Sequence, residues 1–205
     1  MHELYDHWGH ERFENSTPEE VIDHDRRYFA DLEEPGNIEV IGLDVAENAV
    51  AFAEESGLHN GSLTVNLEAE QLSETMAEEL MAVDMVMSTG CVGYVTEKSF
   101  DHLLPAVMQS QPAWLANFVL RMFPFDAIEE TLNDHGNVTE KLEGQTFIQR
   151  RFSSAAEQLK VVEQLRHKGI DPTGKEMDGN LLAEFYLSRP ANEVAEVPIE
   201  RLFSA

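Results

Sequence analysis

The stretch Ile38–Asp44, I-E-V-I-G-L-D, constrains this chain more than any other. Apolar, partly β-branched residues run into one carboxylate, and a helical pattern begins at once behind it, from Ala46 to Ser56. Short apolar runs that feed helices are the signature of buried parallel strands. A carboxylate at the carboxyl end of such a strand stands where open α/β sheets bind their ligands. Asp44 can accept hydrogen bonds from both hydroxyls of a ribose, or it can cap the helix that follows.

The rest of the chain alternates in the same way. Thr17-Pro18-Glu19-Glu20 is a helix start, with a capping threonine, proline at the first helical position and a glutamate closing a capping box. Glu33–Asn37 stops that helix, and the first strand is expected over Ile38–Leu43. Gly57 ends the next helix, and Ser62–Glu68 is a second strand. Leu72–Ala82 is helical, Val83–Met87 is the third strand, and Glu97–Met108 is a helix that must accommodate Pro105. Ala113–Met122 is a strongly apolar strand. Asp126 and Glu129 form a capping pair for a helix ending at Gly136. Val138–Leu142 and Gln145–Arg151 read as strands around Glu143-Gly144. Ser154 and Glu157 cap a helix that runs to Gly169, and Leu181–Ser188 is the last strand. Strand–helix alternation of this kind gives a mostly parallel sheet with helices on both faces. Residues 1–190 are read as one domain, with 1–16 an N-terminal extension and 191–205 a polar tail ending in Ile199, Leu202 and Phe203.

With 39 acids against 14 Lys and Arg, the formal charge is −25. Such a surface repels phosphate backbones, which argues against nucleic acid as a partner. The acids are spread along the whole chain, so they read as a surface adaptation to salt rather than an acidic arm. Added salt is expected to raise the melting temperature by screening self-repulsion; a melting temperature flat in salt contradicts this. No apolar run reaches the roughly 18 residues of a membrane helix. The N-terminus lacks the pattern of a secretion signal, and the one cysteine, Cys91, forms no internal disulfide. Both fit a reducing cytoplasm.

Three strand ends carry polar or small groups: Asp44 with Val45, then Asn66, Leu67 and Glu68, then Ser88, Thr89 and Gly90. Carboxyl ends of parallel strands share an edge, so these groups are candidates for one crevice. The other motifs are weaker. Gly169–Lys175 has P-loop spacing, but Glu176 replaces the magnesium-binding hydroxyl and no strand precedes it. His2, His7, His10 and His24 fit no compact metal set. Cys91 has no evident base beside it. Tyr94 and Arg121 are substrate-side candidates, though residues of this kind are more often structural.

Val40–Ala46, Ser62–Glu68 and Asp84–Val95 resemble the second, third and fourth strand regions of class I S-adenosylmethionine-dependent methyltransferases. Phe118–Pro124, Val138–Gly144, Phe147–Phe152 and Ala183–Pro190 are similar to later stretches of a bacterial subgroup of that family. The resemblance spans most of residues 17–190. It implies a Rossmann-like α/β fold with an antiparallel C-terminal strand, S-adenosylmethionine as cofactor and a small-molecule acceptor. Asp44 and Val45 would lie at the ribose, Asn66, Leu67 and Glu68 by the adenine, and Ser88, Thr89 and Gly90 at the methionine end. No catalytic residue and no metal ligand is implied.

The family's first strand and its G-x-G-x-G loop have no counterpart before Ile38, where the only glycine in the first 35 residues is Gly9. That strand would be central, between Ile38–Leu43 and Val83–Met87. The expectations are truncation, direct pairing of the flanking strands, or filling by another subunit of a homo-oligomer. A non-catalytic remnant that acts through self-association or partner binding is the alternative to an active enzyme. A nicotinamide-dependent oxidoreductase, which shares the acid after the second strand, ranks last.

Overall fold

The computed structural model describes residues 13, 15–31 and 38–203. The expected N-terminal extension and the helix stop at Glu33–Asn37 lie outside these residues or nearly so. The chain forms two compact units, Met1–Asn66 and Leu67–Ala205.

The smaller unit holds α1 (Pro18–Asp31), β1 (Ile41–Asp44), α2 (Glu47–Glu55) and β2 (Gly61–Thr64). The capping box forms as the sequence dictates: Thr17 N–H donates to Glu20 Oε2 at 2.9 Å, and Glu20 N–H donates to Thr17 Oγ1 at 3.3 Å. β1 and β2 pair in parallel, with Leu43 opposite Leu63 and Asp44 opposite Thr64. Asn60 fixes the entry to this pair. Its side-chain oxygen accepts from Val40 N–H at 2.8 Å, and its own N–H donates to the Val40 carbonyl at 2.8 Å. Gly42 is required where it stands, because a Cβ there would come within 2.0 Å of the His59 ring. Both strands are shorter than the sequence suggests, and Asn66 to Glu68 lie beyond the end of β2.

The larger unit runs α3 (Glu74–Leu80), β3 (Met85–Thr89), α4 (Glu97–Val107), β4 (Trp114–Leu120), α5 (Asp126–Asp134), β5 (Asn137–Lys141), β6 (Phe147–Arg151) and α6 (Ala155–His167). A 3-10 turn (Glu176–Asp178), β7 (Asn180–Pro190), α7 (Ala191–Glu196) and α8 (Ile199–Leu202) complete it. Its sheet has the order β3-β4-β7-β5, with β6 also on β7. β3 and β4 are parallel, and β7 runs antiparallel to β4, β5 and β6.

The mostly parallel sheet expected above is therefore corrected. Among the described residues, two ladders are parallel and three antiparallel. The reason is the length of β7. Its 11 residues pair with β4 on one side, while β6 and β5 take successive stretches on the other. An apolar run betrays a buried strand but not the direction of its neighbours. Among the described residues, β1 and β2 form one two-stranded sheet and β3 to β7 a five-stranded one.

β4 and β7 are covered on both faces. Leu115, Val119, Ala183 and Leu187 are all buried, as their near-continuous apolar sequence requires. One core cluster joins Ala116, Leu142, Phe185, Leu187 and Ile199, and a second joins Leu120, Val161, Leu165, Leu181 and Ala183. Ile199 comes from the polar C-terminal tail, which docks on the sheet through this side chain and through Phe203, edge-on to Phe185 at 5.4 Å. Pro105 sits inside α4, which continues through it to Val107. The capping pair expected for α5 does not form: Phe125 is its N-cap and no side chain caps it. By contrast, Ser154 does cap α6, accepting from Glu157 N–H at 3.2 Å.

Candidate functional site

In the smaller unit, Asp44 ends β1 and is exposed. Its Oδ1 accepts a hydrogen bond from Ala46 N–H at 2.9 Å, which shapes the turn into α2. That is a local Asx-type turn. Ala46 is the N-cap of α2 and makes no side-chain cap, so Asp44 does not serve as the helix cap in the strict sense. The second carboxylate oxygen has no hydrogen-bond partner among the described residues. Val45 beside it is 62% exposed, an unusual position for a valine at the end of a strand. Asn66 is exposed in the segment after β2.

In the larger unit, Leu67 is buried and its carbonyl accepts from the His102 ring at 2.8 Å. Glu68 is occupied in the structure. Its carboxylate accepts from Thr96 N–H at 2.7 Å, Thr96 Oγ1 at 2.9 Å and Ser99 Oγ at 2.7 Å. Burial works against the charge, yet the hydrogen bonds from Thr96 and Ser99 win and hold the carboxyl below its ordinary value. Glu68 thus anchors the start of α4 from a distance, where an anion favours the helix N-terminus.

The tip of β3 is a second polar cluster. Ser88 Oγ donates to Asn117 Oδ1 at 2.6 Å, and Thr89 Oγ1 donates to Gln149 Oε1 at 2.6 Å. Gly90 adopts φ +64° and donates its N–H to the Phe118 carbonyl. The loop behind it turns sharply through Gly93, at φ +110°. A Cβ there would meet the Phe123 ring at 2.6 Å. Tyr94 points outward, 84% exposed, while Cys91 is only partly exposed.

Asn117 and Gln149 are new members of this cluster. Asn117 is fully buried in the middle of β4, and its polar side chain within W-L-A-N-F-V-L was a visible anomaly in the sequence. Gln149 carried no such signal. It sits at the register shift between Ile148 and Arg150, where β6 bulges against β7. Bulges re-aim side chains and gather beside functional sites, and this one directs an amide to the end of β3. Arg121, a candidate for the substrate side, is instead buried against Glu176. Glu176, the residue that already spoke against a P-loop at Gly169–Lys175, is turned inward onto that arginine.

Among the described residues, no group of three or more His, Cys, Asp or Glu could hold a metal ion. No described helix is long and apolar enough to cross a membrane. No family model matches the chain, and no curated protein matches it. Among solved structures it is similar to the plantazolicin methyltransferase BamL in complex with triazolic desmethylPZN analog and SAH. The identity is 11% over 84% of this chain and 73% of that one, with a TM-score of 0.40. It is also similar to the plantazolicin methyltransferase BpumL in complex with pentazolic desmethylPZN analog and SAH. There the identity is 13% over 74% of this chain and 67% of that one, with a TM-score of 0.40.

Proposed function

We propose that the chain is a methyltransferase-type protein that binds S-adenosylmethionine and serves a small-molecule acceptor. The observation that carries this reading is the sheet of the larger unit. A parallel pair, β3 and β4, is followed by a long final strand inserted antiparallel between β4 and β5. The resemblance described above implies such an antiparallel C-terminal strand.

The residue roles follow from what each group has left to offer. Asp44 keeps one carboxylate oxygen for a ribose hydroxyl, and Val45 presents an exposed apolar face beside it. Asn66 and Leu67 are assigned to the adenine side. Glu68 has its carboxylate on the start of α4, so its contribution is to hold that helix and the segment leading to it. Ser88, Thr89 and Gly90 are assigned to the methionine end, with Asn117 and Gln149 fixing their hydroxyls. Bound S-adenosylmethionine supplies an electrophilic methyl group; the protein's part is positioning and exclusion of water, which need no signature nucleophile.

Titration calorimetry with S-adenosylhomocysteine tests this. The expected result is binding in the micromolar range, on the order of 8 kcal/mol, abolished by Asp44→Ala. Binding that Asp44→Ala leaves intact removes the ribose assignment.

A second reading, a non-catalytic remnant acting through self-association, is favoured by the end strand β3. Met85 and Met87 are 47% and 64% exposed there, and unpaired strand edges invite pairing. It predicts a concentration-dependent mass and no heat with the cofactor.

A further inference from the structure

We infer that a groove between α3 and α4 is a binding site for a small organic ammonium, an aliphatic amine or diamine. It is independent of the methyl-transfer reading. The groove has a volume of about 390 Å³ and lies wholly within the larger unit. Asp101, His102, Pro105, Ala106 and Gln109 line one wall, and Gln71, Leu72 and Ala77 face them. The wall on α4 follows helical spacing, since these residues recur at i, i+1, i+4, i+5 and i+8.

The polar lining includes several acceptors. His102 Nδ1 lies 2.8 Å from the Leu67 carbonyl oxygen and must donate to it, which leaves Nε2 of the neutral ring as an acceptor. Pro105 has no N–H, so the Asp101 carbonyl lacks its usual i+4 donor inside the helix. The Asp101 carboxylate is 68% exposed. The His135 ring lies beside it, with Nε2 3.7 Å away, too far for a good hydrogen bond. Gln71 and Gln109 add amide oxygens. No Lys or Arg lines the groove; Lys98, one turn earlier on α4, is exposed and outside the lining. A formal charge of −25 raises the local concentration of cations around the whole surface. Leu72, Ala77 and Pro105 offer the apolar surface that an alkyl chain needs.

The test is a ¹⁵N-edited NMR titration of the full chain with 1,4-diaminobutane. It is run at about pH 8, above the ordinary imidazole range, and about 0.15 M salt to screen diffuse attraction. The expected result is saturation with a Kd of about 1 mM or tighter. Shifts should concentrate at Gln71, His102 and Gln109, and 1,4-butanediol should produce none. Asp101→Asn, at an exposed position that tolerates the change, should weaken binding about fivefold to tenfold. Gln109→Ala provides a second variant without any change in charge. Shifts that do not saturate, shifts scattered over the acidic surface, or full affinity in Asp101→Asn each overturn the assignment.

Discussion

Glu176→Ala is expected to lower the melting temperature of the larger unit by about 10 °C. The carboxylate accepts from Arg121 Nη1 at 2.5 Å, with side-chain exposures of 1% and 6% for the acid and the base. Arg121 Nη2 also donates to the Asp171 carbonyl at 3.0 Å, so the pair straps the 170–178 segment to the end of β4. Removing the acid leaves a guanidinium buried without its counter-charge, which costs about 3–5 kcal/mol, or about 2–4 °C per kcal/mol in a domain of this size.

The pair is not a source of net stability in itself. Glu176 Oε1 and Arg121 Nε are buried without partners, and burial pushes the Glu176 carboxyl up despite the arginine beside it. An acid whose folded pKa is raised contributes most below its unfolded value, and that contribution is lost as pH rises through the raised value. Two further results follow. The cost of Glu176→Gln should be smaller than that of Glu176→Ala, and the double change Arg121→Met with Glu176→Leu should recover most of the loss. Differential scanning calorimetry of the three variants checks the ordering.

Arg189→Ala is expected to cost a similar amount, about 3–5 kcal/mol, and to release the C-terminal helices. Arg189 is 1% exposed. Its Nη2 donates to the Glu140 carboxylate and, at 2.8 Å, to the Val197 carbonyl. Its guanidinium lies 5.1 Å over the Trp114 ring, a favourable cation–π arrangement. Glu140 in turn accepts from Ile199 N–H at 2.9 Å, and Trp114 Nε1 donates to Glu193 at 2.7 Å. One side chain thus ties β4, β5 and β7 to both terminal helices. Hydrogen exchange should report faster exchange over 191–203 in the variant, with the amides of β4 less affected. Uniform acceleration through the sheet would mean that the arginine supports the core and not the tail.

These two ion pairs show where sequence reading stops. Local signals were legible: Thr17 with Glu20 and Ser154 with Glu157 mark helix starts that form as written, and Gly57, Gly136 and Gly169 end helices at positive φ. Each depends on residues within one turn. The Asp126–Glu129 pair has the same spacing and no cap, because Phe125 takes the N-cap position with its own side chain buried. Long-range partners left no local trace. Nothing near Arg121 announces Glu176, some fifty residues on, and nothing near Glu68 announces Thr96. Gln149 is aimed by a bulge, and a bulge depends on register against a distant strand. The antiparallel run of the C-terminal strand β7 was expected from the family resemblance and is found; the residue pattern alone did not show it, since hydrophobic alternation carries no arrow. Asp44 stood out as a candidate because a carboxylate that ends an apolar strand is anomalous in its immediate surroundings.

The most direct test of the central claim is a ¹⁵N-edited NMR titration of the full chain with S-adenosylhomocysteine. The account predicts saturable shifts at the amides of Val45, Ala46 and Gly90, with a Kd in the range of about 1–100 μM. Saturation at Val45 and Ala46 would support the ribose role of Asp44, and saturation at Gly90 the role assigned to the loop after β3. An unchanged spectrum at millimolar ligand, or shifts that avoid those amides, would contradict it.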